Sequence, residues 1–308
     1  MTLPKTATIQ QIARDLWLIS PDLGRAGFSS FISAWLLKKK QKTFLIDVGP
    51  ASGIPQLAAA LSDLGVKRPD AIFLTHIHLD HAGGAGHFAA LFPGAPIFCH
   101  PSAIRHLADP ASLWEGSVKA LGEVAEMYGP VRPVPENRLF NALSFGEKEI
   151  SVLETPGHAP HHVSLLAGSR LFAGESGGVF IDLGDDYWLR PGTPPRFFLE
   201  KALKSIETLQ SVPHDLALYC HFGWTRRLPR LLERHKSQLL LWADVIGEEM
   251  DAANGPGLVS RCFERLLKED PCLSAWDRLE PGTRERERFF MENSVRGFVG
   301  FHRAGKGE

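Results

Sequence analysis

The amino-acid sequence predicts a layered α/β fold. Short apolar runs rich in β-branched and aromatic residues alternate with segments of helical spacing, which is typical of α/β layer architectures. There are two β-rich halves, and helical pattern follows each of them. We therefore expect a sandwich of two sheets with helices outside, and a helical remainder after about residue 228.

Composition places the chain among ordinary globular proteins. Of its 308 residues, 44% are hydrophobic and 22% are charged, which argues against disordered, fibrous and disulfide-scaffold classes. The 34 Lys and Arg balance 35 Asp and Glu, so a bulk basic field for nucleic acid is absent. No apolar run reaches the roughly 18 to 20 residues that cross a bilayer, and the N-terminal sequence lacks a signal-peptide core. We expect a cytoplasmic protein without nucleic-acid or membrane partners, and its four scattered cysteines should be buried free thiols.

The first elements are predicted strands. Apolar runs at 16–20, 31–37 and 43–49 are separated by Gly, Pro or a lysine cluster. Because no helical pattern lies between them, we expect these strands to pair antiparallel.

The next segment alternates between the two kinds of structure. Residues 54–65 have helical spacing and end in Gly, and a short buried strand is predicted at 71–75. A helical turn at 87–92 and a strand at 95–100 follow. Residues 101–129 are amphipathic with helical spacing, so we expect a helical insertion there.

The second half repeats the strand-then-helix order. Four short apolar segments between residues 138 and 177, jointed by Gly or Pro, predict an antiparallel meander. A helix is predicted at 194–211 and a strand at 215–223. We expect residues 1–227 to form the core and 228–308 to form a helical C-terminal extension packed on it.

Three histidines and an aspartate are concentrated directly after the strand at 71–75. His76, His78 and His81 lie within six consecutive positions, with Asp80 among them. In extended backbone, positions i and i+2 share a face, so His76 and His78 can bind one metal ion together. Asp80 and His81 are adjacent and should diverge, which suits ligands of a different ion nearby.

Three further places supply ligands that such a site lacks. His158, Glu175 and His221 each follow an apolar strand segment directly. Loops at the carboxyl ends of strands converge in layered folds and commonly form a site. We therefore expect these side chains to join the histidine cluster.

The order and spacing of these residues carry a resemblance to a known family. In chain order the residues are His76, His78, Asp80, His81, His158, Glu175 and His221. Over about residues 30–225 the pattern resembles that of the metallo-β-lactamase fold superfamily of hydrolases. The Thr-Pro-Gly-His segment ending at His158 is similar to that of the glyoxalase II and lactonase branches. The resemblance implies a four-layer αββα sandwich with metals at one edge.

The resemblance also implies roles for the ligands. It assigns one metal ion to His76, His78 and His158, and a second to Asp80, His81 and His221. The superfamily generally has Asp where this chain has Glu175. The extra methylene moves the carboxylate by about 1.5 Å, whereas metal–oxygen distances tolerate roughly 0.2 Å. Glu175 therefore either bridges the two ions from a backbone that lies farther from them, or binds only one ion. Asp47 is expected to orient a ligand imidazole, and His162 to lie behind the ligands.

The function that follows is metal-dependent hydrolysis. A hydroxide shared by two divalent metals would cleave an ester, thioester, lactone or amide-type bond of a small molecule, with Asp80 orienting the nucleophile and shuttling its proton. Zinc is the default metal for this ligand set, and iron or manganese remains open. One alternative is a mononuclear iron oxygenase resembling the persulfide dioxygenase branch. Another is a binding protein on a hydrolase fold that has lost activity.

Substrate contacts are expected from the helical segments. The insertion at 101–129 and the tail after 228 are the parts most suited to wall the site. The candidate apolar contacts are Trp114, Tyr128, Trp188 and Trp224. The tail is also a candidate homodimer surface.

Overall fold

The computed structural model describes residues 6–195, 197–252 and 255–305. The chain divides into two compact units: residues up to 154 together with 161–168, and residues 155–160 together with 169 onward. The helical segment after residue 228 belongs to the second unit. The separation into domains at residue 227 stays a prediction.

A seven-stranded mixed sheet forms the centre of the first unit. Its strands lie in chain order: β1 (Thr8–Ala13), β2 (Leu16–Ser20), β3 (Ala34–Lys39), β4 (Lys42–Ile46), β5 (Ala71–Phe73), β6 (Ile97–Cys99) and β7 (Leu139–Asn141). The strands β1 to β4 pair antiparallel, as predicted for β2 to β4, and β4 to β7 pair parallel. Strand β1 was not predicted, because its sequence TIQQIA is largely polar and exposed.

Helices connect the parallel strands of this sheet. They are α1 (Ile54–Asp63), α2 (Leu79–Ala82), α3 (Ala85–Leu91), α4 (Ile104–Ala108), α5 (Ala111–Leu121) and α6 (Glu123–Tyr128). The apolar face of α1 carries Ile54, Leu57 and Leu61 into a core shared with the sheet. The insertion at 101–129 is helical as predicted, although Gly122, with a φ of +54°, separates α5 from α6.

The predicted meander of the second half begins later than expected. Strand β7 pairs parallel with β6, so it belongs to the first sheet rather than to an antiparallel meander. A crossover connection by helices α4 to α6 favours a parallel return. Strands β8 (Ser151–Glu154) and β9 (Val163–Ala167), also in the first unit, do pair antiparallel.

The second unit combines short strands with long helices. Strand β10 (Arg170–Gly174) pairs parallel with β13 (Leu216–Tyr219), which pairs antiparallel with β14 (Trp224–Thr225). A hairpin of β11 (Val179–Asp182) and β12 (Tyr187–Arg190), which the sequence analysis did not predict, lies between them in the chain.

The tail is helical over the residues that the structure describes. The helices of this unit are α7 (Leu199–Ser211), α8 (Leu228–Ala252), α9 (Leu258–Glu269) and α10 (Pro281–Gly305). Their mutual core includes the buried side chains of Leu232, Trp242, Phe263 and Phe298. The predicted helix at 194–211 begins at Leu199, and Arg196 lies outside the described residues. In the described parts of both units, no helix is long and apolar enough to span a bilayer.

Candidate metal centre

The histidine cluster of the first unit lies where β5 leads into α2. His78 precedes the first turn of α2, so Asp80 and His81 lie on a helical turn rather than on a loop. His76, Asp80 and His81 are buried, and His78 is partly exposed. Backbone contacts hold the turn, since the amides of Val48 and Gly49 both donate to the carbonyl of His81 at 3.0 Å.

The ligand atoms in this cluster converge. The rings of His76 and His78 have centroids 4.6 Å apart at 88°, and each ring offers a nitrogen within 4.8 Å of the other. His81 Nε2 lies 3.4 Å from Asp80 Oδ2. The expectation that Asp80 and His81 diverge is therefore wrong, because the helical turn changes the direction of consecutive side chains from that of a strand.

Asp47 supports the cluster through Thr75. The Asp47 carboxylate accepts hydrogen bonds from the Thr75 amide and hydroxyl, both at 2.8 Å. The Thr75 oxygen lies 3.1 Å from His76 Nδ1. Asp47 Oδ2 is also 3.6 Å from His81 Nδ1. The orienting role of Asp47 stays a prediction, and the contacts add an intermediary, Thr75, which sequence reasoning missed.

Two neighbouring histidines pack behind His76. His162 is fully buried, and its ring centroid is 5.3 Å from that of His76. The ring of His161 is stacked parallel to that of His76 at 6.5 Å. The packing role of His162 behind the ligands stays a prediction.

The second unit carries a separate group of ligand side chains. Strand β10 ends at Gly174, whose φ of +58° turns the chain so that Glu175 leaves the sheet. Glu175 Oε1 lies 3.4 Å from His158 Nε2 and 3.2 Å from His221 Nε2. One carboxylate oxygen therefore lies close to a nitrogen of each imidazole.

A backbone carbonyl orients His158. Its Nδ1 lies 2.7 Å from the carbonyl oxygen of Gly192, so Nδ1 carries the proton and Nε2 keeps its lone pair. A Cβ at Gly192 would lie 2.4 Å from Glu175 Oε2, so a larger residue there would displace that carboxylate. Sequence reasoning missed Gly192, since a backbone contact has no residue signature.

The separations between donor atoms fit a divalent metal. Two nitrogen or oxygen ligands bound at about 2.0 to 2.1 Å to a tetrahedral zinc are roughly 3.4 Å apart. The Asp80–His81, Glu175–His158 and Glu175–His221 pairs are separated by 3.4, 3.4 and 3.2 Å. Imidazole and carboxylate donors suit zinc, iron and manganese, so both groups have the chemistry for such an ion.

Cys220 does not follow the expected alternation. Strand alternation would point the Cys220 side chain away from that of the neighbouring His221, yet its sulfur lies within 4.8 Å of ligand atoms of Glu175 and His221. Strand β13 has ended at Tyr219, and Phe222 has a φ of +58°. The two-residue alternation of a strand therefore no longer applies. All four cysteines are buried free thiols, as predicted.

The aromatic residues proposed as substrate contacts differ in accessibility. Trp114 on α5 and Trp224 on β14 are partly exposed. Tyr128 is buried, with its ring 6.5 Å from that of Phe28. The prediction for Trp188 is wrong, because its side chain is completely buried and its indole donates to Glu287 at 2.8 Å.

Comparison with known proteins identifies the family. The chain belongs to the metallo-β-lactamase superfamily, whose family model matches residues 29–221. A metallo-β-lactamase fold protein of Sulfurisphaera tokodaii, ST1585, is 23% identical over 70% of this chain and 82% of its own length. Hydroxyacylglutathione hydrolase of Pectobacterium atrosepticum is 28% identical over 62% of this chain and 61% of its own length.

Solved structures confirm the fold class. The crystal structure of ST1585 has a TM-score of 0.70 at 21% identity, covering 93% of this chain and 99% of its own. A metallo-β-lactamase family protein of Thermus thermophilus has a TM-score of 0.65 at 20% identity, covering 96% and 95%. The predicted α/β metallo-β-lactamase fold with a helical C-terminal region is therefore correct.

Proposed function

We propose that the chain is a metal-dependent hydrolase that cleaves an ester, thioester, lactone or amide-type bond of a small molecule. The position of Glu175 is the observation that carries this proposal. Its Oε1 lies within 3.4 Å of an imidazole nitrogen of both His158 and His221. In the ligand pattern of the superfamily these two histidines bind different ions. The Glu175 carboxylate would therefore be suited to bind both ions, despite its extra methylene.

The proposed ligand sets follow the ligand pattern of the superfamily. His76, His78 and His158 would hold one ion, Asp80, His81 and His221 would hold the second, and Glu175 would serve both. The match to the superfamily supports this assignment because residues 29–221 include every one of these positions.

The protein side chains prepare the chemistry around these ions. Divalent ions bound there would supply a water of lowered pKa and polarise the substrate carbonyl. The Asp80 side chain is 12% exposed while that of His81 is fully buried, so Asp80 is the member of this pair that can reach a substrate or water. We assign Asp80 the proton that the attacking water releases. Thr75 and Gly192 hold the imidazoles of His76 and His158 in fixed orientation.

The relatives support acyl-bond hydrolysis. Curated relatives matched over 58 to 73% of this chain are named hydroxyacylglutathione hydrolases, which places an acyl derivative of a thiol among the first substrates to test. The double contact of Glu175 supports two ions over the mononuclear iron alternative. Zinc is the proposed metal.

The test measures metal content and activity on one sample of the full-length protein. Lactones, thioesters, β-lactams and phosphodiesters would be assayed before chelation, after chelation and after zinc is restored. We expect two ions per chain, and carbonyl-ester or thioester cleavage that chelation abolishes and zinc restores. His158→Ala should lower activity more than about 100-fold, since even a residue that only supports a metal ligand contributes about 10 to 100-fold.

His106→Ala is the matched control, because His106 lies on α4 and contacts Arg105 rather than any proposed ligand. It should keep full activity. Hydrolysis that persists after complete metal removal would refute the proposal. One iron per chain with thiol-dependent oxygen uptake would replace it with the oxygenase alternative.

A further inference from the structure

The carbonyl that orients His158 belongs to a short segment after β12. We call residues 190–193 the strap. Gly192 in the strap accepts the hydrogen bond from His158 Nδ1 at 2.7 Å. A Cβ at Gly192 would also lie 3.1 Å from that nitrogen, so the strap backbone lies directly against the imidazole.

Buried polar contacts fasten the strap to α10. Ser294 Oγ donates to the carbonyl of Pro191 at 3.0 Å and accepts from the amide of Thr193 at 3.3 Å. The Thr193 hydroxyl donates to the carbonyl of Ser294 at 3.2 Å. Arg190 Nε donates to Glu287 on α10 at 2.5 Å. The residues on both sides of Gly192 are thus bonded to one helix.

Close packing removes the remaining freedom. Gly297 on α10 faces the strap, and a Cβ there would lie 2.0 Å from the carbonyl oxygen of Thr193. Thr193 and Ser294 are 2% and 3% exposed, so water does not compete for their hydrogen bonds. The direction of the Gly192 carbonyl is therefore set by α10.

We propose that α10 positions His158 for metal binding through the strap, with Thr193 and Ser294 as positioning residues. The inference rests on the proposed function, in which His158 is a ligand. The helical tail, which was expected from the sequence to wall the site, would then also position a metal ligand. When a ligand histidine loses the group that fixes its tautomer and ring direction, metal affinity typically falls by about 10 to 100-fold.

The test compares two substitutions at Thr193. Thr193→Val keeps the shape and removes the hydroxyl that bonds to Ser294, whereas Thr193→Ser keeps the hydroxyl and removes a methyl group. Cobalt and zinc affinities of the full-length protein would be measured by competition with a chromophoric chelator, together with the visible spectrum of the cobalt form and the melting temperature. We expect Thr193→Val to lower the affinity for one of the two ions about tenfold and to alter the cobalt spectrum.

Thr193→Ser should bind both ions with near wild-type affinity, even where it melts at a lower temperature. Ser294→Ala provides an independent second variant, and it should lower the affinity for the same ion. Ser274→Ala is the control, because Ser274 is exposed and its hydroxyl bonds only locally to Pro271.

The possible outcomes separate the two proposals. Wild-type protein that binds no cobalt or zinc would refute the proposed function itself. Two ions in the wild type with unchanged affinities and spectra in Thr193→Val and Ser294→Ala would refute only the role of the strap. Equal loss of affinity in Thr193→Val and Thr193→Ser would also refute it, since the hydroxyl would then have no special part.

Discussion

The direction in which the Thr75 hydroxyl donates its single proton decides which nitrogen of His76 is protonated. Asp47 accepts that proton at 2.8 Å, since a carboxylate has no proton of its own to offer. The Thr75 oxygen can then only accept from His76 Nδ1, which is 3.1 Å away. His76 therefore carries its proton on Nδ1 and presents the lone pair of Nε2, the form that a metal ligand needs.

Thr75→Val tests this relay at the residue scale. The substitution keeps the shape of the side chain but removes the acceptor for His76 Nδ1. We expect metal affinity, measured by chelator competition, to fall about 10 to 100-fold, with the far-UV circular dichroism spectrum unchanged.

The control is Thr43→Val. Thr43 makes the same pair of contacts to Asp70, through its amide at 2.7 Å and its hydroxyl at 2.9 Å, at a distant position of the same sheet. The Thr43→Val variant should bind metal with wild-type affinity. Equal affinities in the Thr75 and Thr43 variants would show that the relay does not position His76.

Sequence reasoning reached side chains with metal chemistry and missed those that act through the backbone. Closely spaced His and Asp at the ends of apolar runs are visible because the residue types themselves are the signal. The partner of His158 is the carbonyl of Gly192, 34 residues away. The position of Cys220 near the ligands is hidden for a related reason, since the bend after Tyr219 cannot be read from strand periodicity.

At the scale of elements, periodicity predicted the strands that bury a face. Strands β2 to β6 were found because their apolar runs enter the core. Strand β1 is mostly exposed and pairs through its backbone, so its sequence carries little apolar signal. Strand β7 was found but assigned to the wrong sheet, because pairing partners depend on the path of the chain.

Helix α8 carries an ionisable group inside its apolar face. His235 is 3% exposed, and burial lowers its pKa to about 4, although a hydrogen bond with Gln238 opposes the shift. A Cβ at Gly178 would lie 3.0 Å from its ring, so the imidazole fits closely against the turn before β11. The folded protein therefore holds His235 in its neutral form.

This histidine predicts a pH dependence of stability. Its pKa is about 4 when folded and about 6.5 when unfolded, so between these values the unfolded chain binds more protons. The contribution of neutral His235 to the free energy of unfolding is complete above pH 6.5 and is lost as the pH falls towards 4. The loss between pH 7 and pH 4.5 should be about 2 to 3 kcal/mol.

The measurement is urea unfolding of the wild type and His235→Gln across this pH range. Other groups contribute equally to both proteins, so the difference between their free energies of unfolding isolates His235. We expect that difference to shrink as the pH falls. A constant difference from pH 7 to pH 4.5 would mean that His235 is not held neutral.

For the whole molecule, sequence and structure agree on the family and differ in what they reveal of substrate. The spaced ligand motif led to the superfamily, and the family match and fold comparisons confirmed it. Substrate walls depend on side chains scattered over helices, where an aromatic residue has the same signal in a core as in a site. Trp188 illustrates this, since its indole is bonded to Glu287 inside the second unit.

The proposed ligands make a final prediction about the whole molecule, because an ion that binds only the folded state adds its binding free energy to the stability of the fold. Metal binding to the folded state only should then stabilise the entire chain. At a free zinc concentration of about 1,000 times the dissociation constant, the gain is about 4 kcal/mol, or roughly 4 to 8 °C in melting temperature. His78→Ala and His221→Ala should each remove most of this shift in calorimetry, whereas His106→Ala should retain it. If either ligand variant kept the full zinc-dependent shift, the substituted histidine would hold no ion and the proposed ligand assignment would be wrong.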